Sequence, residues 1–177
     1  MSNVSTPAAG PAPRLALVTG GGGGIGATIC QELARAGYRV IVSDVDAQRA
    51  RRVADELGAP HAAHAFDVSD ETAVETAFDQ IEQTHGPIAV LVSAAGLLLF
   101  QANGERPLIK DTTLDIWERS FAVNARGVFL CGRAYLRRRE AAPLAHGRIV
   151  TFTSVAAQLG GYRSSACLLY TSDAADD

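Results

Sequence analysis

Apolar residues recur along this chain in two alternating rhythms. Short, mainly apolar runs occupy positions 15–18, 38–43, 62–66, 88–92 and 147–154, the last two rich in β-branched residues. Such runs fit strands of a parallel sheet, which are buried on both faces. Between them the spacing turns helical. Ile29, Leu33 and Ala36 share one face of 27–36, and Val53 and Leu57 share one face of 47–57, which Gly58 ends. Residues 71–84 predict a third helix, capped by Ser69 or Asp70 and broken by His85-Gly86-Pro87. A fourth opens at Thr112 or Thr113 and runs through Trp117, Phe121 and Asn124 to about residue 139. Strands alternating with helices predict an α/β protein with a doubly wound parallel sheet and no second domain or internal repeat.

The first strand-to-helix turn carries the strongest chemical signal. Val18 and Thr19 lead into Gly20-Gly21-Gly22-Gly23-Gly24-Ile25-Gly26. A strand, a glycine turn and a helix start aim free backbone N–H groups and the positive end of a helix dipole at a phosphate. A side chain at Gly20 or Gly26 would hold a pyrophosphate away or part the helix from its strand. Asp44 closes the second strand, 18 residues after Gly26. That is near the offset of about 20 at which a carboxylate meets an adenosine ribose. Asp46 is the better placed of the two to cap the next helix. Ligands of such sheets sit at the C-terminal strand ends. Gly20, Gly22, Gly23, Gly24, Ile25, Gly26, Asp44, Asp67 and the turn Ser93-Ala94-Ala95-Gly96 all converge there.

Composition narrows the partners. A net charge of −3 gives no electrostatic case for nucleic acid or an anionic membrane. No apolar run approaches the roughly 20 residues that span a bilayer. The basic stretch 133–139 reads as a solvated helix face. Cys30, Cys131 and Cys167 are odd in number and far apart, which suits a reducing cytoplasm. His61, His64, His85 and His146 form no metal cluster and read as surface or loop residues. Residues 1–13, rich in Ser, Thr, Pro, Ala and Gly, are expected to be a disordered lead-in.

The spacing Thr19-Gly20-x-x-x-Gly24-Ile25-Gly26 resembles the fingerprint of the short-chain dehydrogenase/reductase family, and the resemblance extends over residues 14–166. It implies a Rossmann fold and a hydride moved between a nicotinamide cofactor and an alcohol or ketone. Asp67-Val68 matches the family's adenine-contacting pair. Ser93-Ala94-Ala95-Gly96 occupies the place of Asn-Asn-Ala-Gly, with both asparagines missing. Asn124 matches the active-site Asn that holds a water in the proton relay, and Ser154 the serine that holds the substrate oxygen. Asp44 favours NAD, since a carboxylate repels a 2′-phosphate; NADP is left to Arg49 or another nearby base. The resemblance also implies a homo-oligomer. A 3-oxoacyl-thioester reductase is the alternative subclass, and a nucleotide-binding fold without catalysis the alternative to an enzyme.

The resemblance stops at the tyrosine and lysine of the family's relay. Cys167 and Thr171 stand at those positions, Tyr162 and Tyr170 lie nearby, and the last lysine is Lys110. Without a cation beside it, a tyrosine of pKa near 10 is a poor proton shuttle. The stretch Cys167 to Asp176 resembles what the transposase end and primer site of a sequencing library would encode. The expectation is that residues 167–177 are artefactual and that the reading frame continues elsewhere beyond Ala166. The fold would then be incomplete after its fifth strand, and the 177-residue chain would be poorly soluble, partly molten and without turnover.

Overall fold

The computed structural model describes residues 13–98, 104 and 108–154. Its strands are β1 (Leu15–Thr19), β2 (Arg39–Ser43), β3 (Ala62–Ala63), β4 (Ile88–Ser93) and β5 (Arg148–Thr151), all parallel, in the order β3-β2-β1-β4-β5. The helices are α1 (Gly24–Arg35), α2 (Ala47–Leu57), α3 (Glu71–His85), α4 (Leu114–Phe121) and α5 (Val128–Ala141). The order reverses between β1 and β4, so chain segments leave these two strands in opposite directions and open a crevice above their ends.

Every residue of β1 and β4 is buried. Alternate side chains feed two cores. Leu15, Leu17, Ile41 and Leu91 meet Val74, Phe78, Ile81, Leu130 and Tyr135 of α3 and α5 on one face. Ala16, Val18, Val40, Val42, Val90 and Val92 meet Cys30, Ala50 and Val53 of α1 and α2 on the other. In β1, β2 and β4 the continuous apolar runs therefore mark strands covered on both sides, as the sequence suggested. At the C-terminal strand ends the row changes to hydroxyls, with Ser43, Thr19, Ser93 and Thr151 in register across four strands.

Several boundaries move. α1 starts at Gly24, inside the glycine run, where Gly24 takes φ +53, a left-handed turn that glycine allows at no steric cost. β3 shortens from 62–66 to two residues; among the described residues it lies at the sheet edge with β2 alone beside it. β5 ends at Thr151, so Ser154 stands three residues past the strand that was expected to deliver it. The long helix is not uniform. Thr113 caps α4 by accepting the Ile116 N–H, and a π-helical segment, Ala122–Gly127, joins α4 to α5. Asp46 and Asp70 cap α2 and α3 as their positions suggest.

The basic stretch is not a solvated face. Arg133 reaches Glu71, Arg138 reaches Glu75 and Asp79, and Arg139 reaches Glu82, all on α3. The Arg138 and Arg139 side chains are only 16% and 9% exposed. Burial works against the Arg138 charge, but hydrogen bonds and the fields of Glu75 and Asp79 outweigh it and hold its pKa above the ordinary value. These pairs tie α5 to α3.

Two histidines are likewise structural. His61 Nδ1 accepts the Val40 N–H at 3.0 Å, and His85, the last residue of α3, meets the Arg39 guanidinium at the N-terminal end of β2. Burial, then the Arg39 charge, lowers the pKa of both.

Candidate functional site

The glycine run passes from β1 to α1 by two close approaches that only glycine allows. Gly20 has φ +68, and a Cβ there would lie 2.6 Å from Ala95 Cα. A Cβ on Gly26 would lie 2.1 Å from the Gly20 carbonyl oxygen. Both obstacles are backbone and cannot turn aside. α1 is thereby packed against the turn, with Cys30 beneath Gly21. Burial pushes the Cys30 thiol up to about 12, so it packs as an apolar group rather than reacting. Gly23 and Gly24, by contrast, face open space. Gly23 is the N-cap of α1, without a side-chain cap, and the first turn carries no acid. Its leading N–H groups and dipole are thus left for an anion.

Asp44 sits directly beside this loop. Its Oδ2 accepts the Gly22 N–H and its Oδ1 the Asp46 N–H, each at 3.1 Å. A Cβ on Gly22 would strike the carboxylate at 2.7 Å, which explains the third glycine of the run. The carboxylate is therefore fixed before any ligand arrives, with lone pairs still available to hydroxyl donors.

The opposite wall is the turn after β4. Thr19 accepts the Ala94 N–H with its carbonyl and the Ala95 N–H with its hydroxyl, at 3.1 and 3.3 Å. Asn124 then clamps the Leu97 peptide, accepting its N–H at 2.9 Å and donating to its carbonyl at 3.1 Å. Thr19 and Asn124 thus hold the Ser93-Ala94-Ala95-Gly96 turn and the residue after it. The mid-helix Asn has its reason, too: both ends of its amide are used. Ser93 Oγ and Ser43 Oγ are buried and have no hydrogen-bond partner among the described residues.

Between these walls lies a cleft of about 820 Å³. Gly20, Gly23, Gly24, Ile25, Gly26, Asp44, Asp67, Val68, Ala94, Ala95 and Gly96 line it, so the sequence brought nearly all of its candidates to one place. Gly22 is held just behind the lining by Asp44. Asp67 also serves its own turn, accepting the Ser69 N–H at 2.8 Å and the Ser69 hydroxyl at 2.7 Å. Val68 is buried against Gly127, where a Cβ would meet it at 2.7 Å. Asn124 supports the wall from behind, while Ser154 lies beyond β5 and outside the lining. The lining includes further residues that the spacing did not single out: Ser43, Val45, Phe66, Leu97 and Arg119. Val45 and Phe66 could have been found as neighbours of Asp44 and Asp67; nothing in the pattern marked Arg119.

The residues present fit a dinucleotide diphosphate: a glycine cradle without obstructing Cβ atoms, an uncapped helix start and a pre-fixed carboxylate at the right distance along the chain. Among the described residues no cluster of His, Cys, Asp and Glu could hold a metal, and no helix is long and apolar enough to cross a membrane.

The fold and the cleft together define a doubly wound α/β domain of the Rossmann type. The family model for short chain dehydrogenases matches residues 14–171, and the chain belongs to that family. It is 32% identical over 154 residues to secoisolariciresinol dehydrogenase of Forsythia intermedia, covering 86% of this chain and 53% of that protein. It is 34% identical over 147 residues to D-threitol dehydrogenase of Mycolicibacterium smegmatis, covering 81% and 54%. A crystal structure of a gluconate 5-dehydrogenase from Burkholderia cenocepacia in complex with NADP and tartrate superposes with a TM-score of 0.78. That pair is 30% identical, with 88% of this chain and 59% of the other covered. The chain thus spans a little over half the length of these relatives.

Proposed function

We propose that the cleft binds a nicotinamide adenine dinucleotide, NAD in preference to NADP, as the cofactor half of an oxidoreductase acting on an alcohol or ketone. The observation that carries this reading is the Asp44 carboxylate, fixed by the Gly22 and Asp46 N–H groups beside an uncapped glycine-loop helix. In that position it accepts hydrogen bonds from the adenosine ribose hydroxyls and repels a 2′-phosphate. The loop N–H groups and the α1 dipole hold the diphosphate, and Asp67, Val68 and Val45 flank the adenine. The bound cofactor supplies or takes up a hydride at its nicotinamide ring. Ala94, Ala95 and Gly96 form the wall toward that ring, and Asn124 holds the wall in place through Leu97. With its amide used on Leu97, Asn124 has only backbone groups to offer a relay water, and the π-helical segment loosens the helical bonding around them. Ser154 holds the substrate oxygen.

A second reading has its own support. Arg49 also lines the cleft, and the gluconate 5-dehydrogenase carries NADP. In this chain the Arg49 guanidinium is paired with Asp46 at 3.4 Å, which leaves Asp44 the stronger determinant. A third reading is dinucleotide binding without turnover by the 177-residue chain. Titration with NADH and NADPH, followed by nucleotide fluorescence, separates them. The proposal expects NADH to bind at least about tenfold more tightly, a difference of about 1.4 kcal/mol. Equal or tighter NADPH binding selects the Arg49 reading, and no binding of either overturns the proposal. Assays against a panel of secondary alcohols, polyols and 3-oxoacyl thioesters then decide between an enzyme and a binding fold, and between subclasses.

A further inference from the structure

The glycine loop is held from α2 as well as from β2. Arg52 Nη2 donates to the Gly22 carbonyl at 3.2 Å, while Arg52 Nη1 meets Glu56 Oε1 at 3.3 Å. On the other side of the same residue, the Gly22 N–H goes to Asp44. Asp44 in turn is tied to the Asp46 N–H, and Asp46 caps α2 through the Gln48 and Arg49 N–H groups. The circuit is closed: α2, through Arg52 and Asp46, grips the loop and the acid together.

The Arg52 contact has a directional consequence. In a trans peptide the C=O and the following N–H point in opposite directions. With the Gly22 carbonyl drawn toward Arg52, the Gly23 N–H is turned away from α2. Gly23 lines the cleft and Gly22 does not. Glycine has no Cβ to restrict this peptide, so without a partner its carbonyl is free to swing toward the cleft and present an acceptor where an anion is to bind. The guanidinium also sets a positive charge behind a loop that already carries the Asp44 carboxylate.

We propose that Arg52, a residue outside the cleft lining, is a positioning residue that sets the Gly22–Gly23 peptide in its anion-receiving orientation. The inference rests on the dinucleotide reading for its function, but its structural core is testable without a ligand. The experiment uses the 177-residue chain and its Arg52→Ala, Arg52→Lys and Glu56→Gln variants. Amide hydrogen exchange over residues 20–26 is measured without ligand, alongside the melting temperature and the Kd for NADH. Arg52→Ala is expected to speed exchange in this segment and to weaken NADH about fivefold, the loss of one ordinary hydrogen bond. The melting temperature should barely move, because the Arg52 side chain is 61% exposed. Arg52→Lys should restore most of the binding, since a lysine can also donate to a carbonyl. Glu56→Gln should change neither quantity, because the exposed pair with Glu56 is not what holds the loop. Unchanged exchange in Arg52→Ala, or the same change in Glu56→Gln, overturns the proposal. If the parent chain binds no NADH, the dinucleotide reading fails, and the exchange comparison by itself still decides whether Arg52 orients the loop.

Discussion

β2 and β5 have nearly the same sequence and opposite surroundings. Arg39-Val40-Ile41-Val42-Ser43 is buried at every position after the arginine, whereas Arg148-Ile149-Val150-Thr151 is exposed throughout. Each begins with arginine, continues with β-branched residues and ends with a hydroxyl at the same level of the sheet. The difference is cover. β2 lies between β1 and β3, with α1 and α2 on one face and the α3 core on the other. Among the described residues β5 pairs with β4 alone, and Ile149, Val150 and Phe152 remain 37%, 43% and 49% exposed. A strand's composition declares that it can be buried, and only its neighbours decide whether it is. The same divide separates the two halves of the proposed site. The half that would hold adenosine and diphosphate is built on covered strands and pre-fixed by hydrogen bonds. Ser154 follows the exposed strand.

That divide predicts a graded set of effects. The largest belongs to Gly26→Ala, whose Cβ would meet the Gly20 carbonyl. It should cost about 3 kcal/mol in urea denaturation and abolish NADH binding. Asp44→Ala should leave the fold intact and weaken NADH about 30-fold with little change for NADPH, the loss of charged acceptors. Nucleotide titration reads both. Asn124→Ala removes both bonds to the Leu97 peptide and should cost about 2 kcal/mol of stability. Asn124→Asp keeps the acceptor and should recover part of it.

A smaller effect is set by pH at the far end of β2. The folded-state pKa values of His61 and His85 lie below the ordinary 6.5, so the unfolded chain binds more protons as pH falls through that value. Stability should be full above about pH 6.5 and decline toward the lowered pKa values; urea midpoints at pH 7.5 and 5.5 measure it, and replacing His61 and His85 by Gln should shrink the trend, with His64, whose pKa burial also lowers, keeping a share. Smallest of all, Ser154→Ala should leave the NADH Kd within about twofold. A larger change would erase the distinction between the two halves.

Much of this was legible in the sequence because it is encoded locally. Gly26 against Gly20 and caps such as Asp46 and Asp70 depend on neighbours a few residues away, whereas Gly20 and Gly22 were legible from the turn pattern although the groups that crowd them, Ala95 and Asp44, lie far along the chain. Asn124 was visible as a misfit in a helix, but its partner Leu97 could not be read, since the contact spans the fold. The arginines of 133–139 were misplaced for a related reason. Their charges suit water equally well, and only the approach of α3 turns them into an interhelical seam. The short β3 and the early end of β5 go with positions at the edges of the sheet formed by the described residues, which an apolar run does not announce. Tyr162 and Tyr170 and the stretch 167–177 fall outside the described residues.

The central claim is that the glycine loop and Asp44 form a ready-made seat for an adenosine diphosphate, independent of the chain beyond β5. ADP-ribose carries the adenine, both riboses and the diphosphate but no nicotinamide. Calorimetric titration of the 177-residue chain with ADP-ribose therefore tests the claim most directly. The account predicts one site per chain, an affinity within about tenfold of that for NADH, and loss of the heat in Asp44→Ala. Absence of binding, or binding that Asp44→Ala leaves unchanged, would contradict it.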